Sequence, residues 1–247
     1  MNTGTTGILP VTRPERPWYM LALSFFLFLV FSLWFALVIG RNLGLFFGGL
    51  ILASVLAPLL VVADSDLTRR WSMVAGIVAA IALVWLSCVI NDTITLWEWF
   101  RATLVLLIYT LAVAGPAGLL ARIHIPSAVV VIFSLAWLSW PIWLAPALRG
   151  RASAEKVVAG LVAVNPTFAI QGSLLQSFPV PWAQYRIAYR LTNIGDDIPY
   201  QMPTSVFSCV LLHGIIAIIA MLAAHWRPAR TAARPEHPPA DQSPRST

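Results

Sequence analysis

Six uninterrupted apolar stretches set the pattern of the chain: Trp18–Gly40, Leu43–Ala63, Trp71–Ile90, Ala102–Ala121, Ser127–Leu148 and Thr204–Trp226. Each is 20 to 23 residues long and holds no Asp, Glu, Lys or Arg. At a rise of roughly 1.5 Å per residue, a helix of that length crosses a hydrocarbon core about 30 Å thick. None shows the strict alternation of a barrel strand, and inside lipid only helices or closed barrels satisfy every backbone group. The pattern predicts an all-α polytopic membrane protein with six transmembrane helices. The first stretch is longer than the usual apolar region of a signal peptide (about 7–15 residues) and Gly40-Arg41-Asn42 offers no small-residue cleavage site. It reads as a retained first helix.

Composition agrees. Hydrophobic types make up 59% of the 247 residues and charged types 11%, where a soluble domain carries about 25% charge. That excludes a soluble enzyme and a disordered chain, and the two cysteines, Cys88 and Cys209, are too few for a disulfide scaffold. Both cysteines read as buried free thiols.

The net charge of +6 rests on arginines that bracket the apolar runs, which argues for topology rather than nucleic-acid binding. Arg13, Arg16, Arg69, Arg70, Arg122, Arg227, Arg230, Arg234 and Arg245 fall on one side; the short connections opposite carry Arg41 and Arg101. Positive charge is retained in the cytoplasm. Both termini are therefore expected there, in a bacterial cytoplasmic (inner) membrane. Trp18, Trp71, Trp97, Trp99 and Trp226 sit at helix ends and read as headgroup anchors. Residues 1–17 form a short cytoplasmic segment; residues 227–247, rich in Pro, Arg, Ala and Ser, read as a disordered cytoplasmic tail.

The segment 149–203 is too apolar for a solvated loop and too interrupted to span. Ser153 can cap a helix in which Val157, Val158, Leu161 and Val162 share a face. Asn165-Pro166 breaks it, because proline disfavours the helical conformation of its predecessor. A second short piece, Thr167–Phe178, follows. The pair predicts a re-entrant hairpin or one lying flat at the interface. Beyond it, Trp182, Tyr185 and Tyr189 share one helical stripe, with Arg186 and Arg190 on another. That is a lipid-interface pattern. Asp196 and Asp197 read as solvated turn residues.

Chemistry is sparse. All formally charged residues lie outside the six stretches, which disfavours an autonomous ion-coupled transporter. No Gly-x-x-x-x-Gly-Lys-Ser/Thr is present, so any ATP-driven step requires a separate subunit. No hydrolytic constellation points to an enzyme, and no cofactor or metal site is expected. Cys209 and His213 share a helix face, yet two ligands fall short of the four of a structural zinc site. His124 and His225, near the same ends of their helices, are the one histidine pair placed to ligate a haem in the rival reading. Gly44-x-x-x-Gly48 and Gly76-x-x-x-Ala80 allow close helix approach, and Pro58, Pro116, Pro141 and Pro146 offer kinks.

The run Val157–Gly172, Val-Val-Ala-Gly-Leu-Val-Ala-Val-Asn-Pro-Thr-Phe-Ala-Ile-Gln-Gly, together with this order of helices, resembles the permease subunit of ABC-2 type exporters. The topological resemblance covers about residues 18–226 and the motif covers that run alone. Where the family usually carries an amphipathic helix before the first span, residues 1–17 are short and Pro/Arg-rich, and the link after the second is only Asp64-Ser-Asp-Leu-Thr-Arg-Arg70. The resemblance implies two permease subunits, as a homo- or heterodimer, powered by separate ATP-binding subunits. It assigns Asp64, Asp66, Arg69 and Arg70 to ATPase contact and Asn165 and Pro166 to an outer gate hinge. The rival class is a non-transporting membrane anchor or assembly subunit, with or without haem.

Overall fold

The computed structural model describes residues 43–63, 67–148, 154–177 and 201–225. Among them the secondary structure is helical: α1 Leu43–Ala63, α2 Leu67–Ile90, α3 Leu96–Leu120, a 3-10 turn Ala121–Ile123, α4 Ser127–Leu138, α5 Trp140–Leu148, α6 Ala154–Val164, α7 Pro166–Ser173 and α8 Phe207–His225. Four of these, α1, α2, α3 and α8, are long and apolar enough to cross a membrane. The protein is therefore a helical membrane protein. The first predicted span, Trp18–Gly40, the stripe Trp182–Arg190 and the tail 227–247 lie outside the described residues.

Helices α1, α2 and α3 run antiparallel, as their short links require. At one end the Trp85 indole of α2 donates to the Leu45 carbonyl of α1 at 3.2 Å, and Trp99 of α3 donates to the Ala82 carbonyl of α2 at 2.9 Å. The α2–α3 link turns through Asp92, whose φ of 52° is left-handed. It then enters α3 through Thr95, the N-cap of a capping box with Glu98. The main core joins Phe46, Leu50, Ile81, Trp85, Leu106 and Tyr109 with Ile170 of α7 and Leu174 just beyond it. A smaller core of Trp140, Val158, Val162 and Phe168 closes α5 on α6 and α7.

Outward faces are apolar too: Leu83, Phe133, Leu211, Ile215, Ile219 and Leu222 are exposed. Isolated exposed apolar residues are ordinary, whereas faces of this extent suit hydrocarbon rather than water.

Several expectations are corrected. Ser127–Leu148 is not one helix; it breaks at Ser139 into α4 and α5. Ser139 leaves helical geometry two residues before Pro141, which has no N–H to continue the ladder. Gly76 faces open space, with no atom within 4 Å of where a Cβ would stand, so it mediates no close helix approach. The close approaches are at Gly49 against Trp85 and Ile81, at Gly115 against Ala220, and at Gly172 against the Pro203 carbonyl. On α6 the buried stripe is Ala154, Val158 and Val162, four residues apart, while Val157 turns outward. The second short helix ends at Ser173, well before Phe178. Trp99 is directed into the bundle rather than serving as an anchor alone.

Candidate functional site

The described polar groups gather in three connected places beneath and around the short pair α6–α7. The first is the break itself. Asn165 stands between the helices in extended geometry (φ −81°, ψ 132°), and its Oδ1 accepts the Thr167 N–H at 2.9 Å as the N-cap of α7. Pro166 follows at the first helical position, where a missing N–H costs nothing. The Asn165 Nδ2 donates to the Trp137 carbonyl at 2.7 Å. That carbonyl would take the N–H of residue 141 in a continuous helix, and residue 141 is proline. Asn165, fully buried, thus caps one helix and repairs the break in another.

All eight residues of α7 are buried, chiefly against α3, with α6 and α1 packed on it as well. This segment is packed into the bundle. Burial of Gln171 and Thr167 along with Phe168 and Ile170 shows that it is enclosed by protein on every side.

The second place is a clasp at the start of α3. Glu98 is fully buried. Its carboxylate accepts from the Thr95 N–H (2.8 Å), the Thr95 hydroxyl (2.9 Å), the Ser177 hydroxyl (2.9 Å) and the Ser177 N–H (3.3 Å). Four donors compensate the cost of burying the charge. Arg101, one turn on, donates from Nη2 to the Ser173 carbonyl at the C-terminus of α7 at 3.0 Å, where the helix dipole favours a cation. Its guanidinium also lies over the exposed Trp97 ring, 5.8 Å from the centroid. Glu98 and Arg101 together hold the end of α7 to α3.

The third is a polar cluster among α1, α3, α4 and α8. The Tyr109 hydroxyl and the Ser54 hydroxyl are 2.7 Å apart, and Ser54 also donates to the Leu50 carbonyl. The Ser134 hydroxyl donates to the Val131 carbonyl at 2.9 Å. His213 meets the Tyr109 ring edge-on at 5.5 Å and lies 6.4 Å from the Trp137 ring. Its Nδ1 donates to the Cys209 carbonyl at 2.8 Å and approaches the Cys209 Sγ at 3.6 Å.

The residues expected from sequence fall unevenly. Asn165 and Pro166 form the break as expected, and Cys88 and Cys209 are buried free thiols. Arg69 and Arg70 lie in the first turn and a half of α2; Asp64 and Asp66 lie outside the described residues. So do Trp182, Tyr185, Arg186, Tyr189 and Arg190. His124 is exposed at the end of the 3-10 turn, and the His225 side chain lies outside the described residues. Among the described residues no three His, Cys, Asp or Glu side chains gather as a metal site would need. Sequence reading misses the clasp, placing Arg101 in an outer connection and not singling out Glu98. The signal that reveals it is Thr95-x-x-Glu98, the capping-box spacing directly before an apolar run.

No family model, curated protein or solved structure matches the chain.

Proposed function

We propose that the chain is the membrane-spanning, permease-like subunit of an ATP-driven, ABC-type export complex, with ATP hydrolysis supplied by a separate subunit. The observation that carries this reading is the burial of α7. A short helix, entered through an Asn-Pro break and fully packed against α1 and α3, has the form of a gate element seated in the bundle. Non-helical backbone at membrane depth is tolerated where protein surrounds it, and Asn165 satisfies the Thr167 N–H at this break and the Trp137 carbonyl at the break between α4 and α5.

In this reading the chain crosses a bacterial cytoplasmic membrane six times with both termini inside, α6–α7 re-entering from the outer side. Asn165-Pro166 is the hinge, and Glu98 with Arg101 is the clasp that holds the closed position. A second permease subunit completes the pathway. Asp64, Asp66, Arg69 and Arg70 face the ATP-binding subunit.

The test is recovery of the tagged chain from its native membrane in mild detergent. Export predicts co-purification of an ATP-binding protein at fixed stoichiometry. Recovery with other membrane proteins and no nucleotide-binding partner supports the anchor or assembly reading instead, and a Soret band supports its haem-bearing form.

A further inference from the structure

The polar cluster holds a pair of side chains that the export reading does not use. Cys209 stands in the first turn of α8 and His213 one turn on, so the i, i+4 spacing sets both on one face. That face packs inward, with Cys209 1% and His213 4% exposed. The Cys209 Sγ and the His213 Nδ1 lie 3.6 Å apart, and Cys209 is a free thiol. The Tyr109 ring meets the imidazole edge-on at 5.5 Å and the Trp137 ring lies 6.4 Å from it, so neighbours on α3 and α4 hold its plane. Cys209 shares the main core with Ile170 of α7 and with Leu174. Among the described residues no third His, Cys, Asp or Glu joins the pair.

We propose that Cys209 and His213 bind one soft monovalent ion, Cu(I), between the thiolate Sγ and the imidazole Nδ1. Three features select that ion. Thiolate is a soft ligand and imidazole suits copper, so the donor set favours Cu(I) over hard cations. Two ligands fall short of a zinc site, whereas two-coordinate binding is an ordinary state of Cu(I). Charge decides between valences: a thiolate with Cu(I) is neutral, while a divalent ion would leave one uncompensated charge inside the bundle, where burial is costly. The distance agrees as well. Metal bonds of roughly 2.3 Å to sulfur and 2.0 Å to nitrogen set the donors about 3.5 Å apart at a bent angle and about 4.3 Å apart in line. The observed 3.6 Å is the bent end of that range, and side-chain rotation of about 0.7 Å reaches the linear form. On binding, the Cys209 S–H releases its proton to solvent and an S–Cu bond forms in its place. The Nδ1 proton passes to Nε2, so the imidazole stays neutral and Nδ1 exchanges its bond to the Cys209 carbonyl for one to copper. No electron is transferred. The site does not depend on the export reading.

The experiment titrates the reduced, metal-free, untagged full chain in detergent, without oxygen, against the coloured Cu(I)–bicinchoninate complex. Wild type and Cys88→Ala are each expected to withdraw one Cu(I) per chain. Cys209→Ser and His213→Gln each weaken that binding at least hundredfold, and Zn(II) at the same concentration is not retained. X-ray absorption of the copper-loaded wild type is expected to show one sulfur and one nitrogen bonded to copper, a readout that needs no variant to fold. No withdrawal by wild type, unchanged withdrawal by Cys209→Ser or by His213→Gln, or Zn(II) retained as firmly as Cu(I) overturns the proposal. Copper bonded to two sulfurs, or to nitrogen and oxygen alone, overturns it whatever the variants do.

Discussion

The side-chain amide of Asn165 donates to the main-chain carbonyl of Trp137, the group that Pro141 leaves without a helical donor. One residue thereby joins the break between α4 and α5 to the break between α6 and α7. The two breaks are far apart in sequence and meet in space. Asn165→Ala removes the α7 cap and orphans the Trp137 carbonyl, at a combined cost of about 2 kcal/mol. Pro141→Ala restores an N–H at position 141, so the double variant regains part of the loss. Thermal unfolding in detergent of the two single variants and the double one measures this coupling; strict additivity would contradict the shared carbonyl.

Glu98 and Ser177 form the second long-range tie, through both the hydroxyl and the N–H of Ser177. Glu98→Gln keeps the shape but presents an amide N–H₂ toward donors, and Ser177→Ala removes one donor. Hydrogen exchange of residues 174–177 is expected to accelerate at least tenfold in Glu98→Gln and less in Ser177→Ala. In the double variant the effect should fall short of the sum, because both changes break the same contact.

Glycine positions separate packing from propensity. At Gly172 an added methyl meets the Pro203 backbone carbonyl, which has no rotamer to move aside. Gly172→Ala is expected to unseat α7 and lower the thermal midpoint by several degrees. Gly76 faces open space within α2, so Gly76→Ala is expected to stabilise by about 0.5–1 kcal/mol through helix propensity alone. The pair, measured in one detergent, distinguishes the two effects.

In the polar cluster, Tyr109→Phe removes the hydroxyl that bridges to Ser54 while Ser54 keeps its bond to Leu50. Interhelical hydrogen bonds in membranes average about 0.6 kcal/mol. A loss of that order in unfolding free energy is expected, with unchanged gel-filtration behaviour.

Much of the helix plan is legible in hydropathy. The predicted starts and ends of Leu43–Ala63 and Thr204–Trp226 fall within three residues of α1 and α8, since charged or turn residues bound both runs. The Asn165-Pro166 break is legible because proline acts locally on its predecessor. Where hydropathy fails, the reason is physical. It starts the fourth stretch at Ala102, since Glu98 and Arg101 are charged, although the helix begins at Leu96. The partners that make those charges tolerable, Ser173 and Ser177, stand 72 and 79 residues away, beyond any local pattern. The division of Ser127–Leu148 escapes hydropathy because its residues are apolar almost throughout; only Pro141, read as a kink, marks the place. Gly76-x-x-x-Ala80 misleads because small-residue spacing marks where helices can meet, not where they do.

The export reading turns on α7 as an element that another polypeptide's nucleotide cycle moves. Hydrogen exchange across residues 165–177, in the tagged chain purified with whatever accompanies it from its own membrane, measures this directly. With ATP and magnesium added, faster exchange is expected at Asn165–Ser177, with unchanged exchange in the core of α3. Identical exchange with and without nucleotide, in a preparation active enough to hydrolyse it or devoid of any protein that binds it, would contradict that reading.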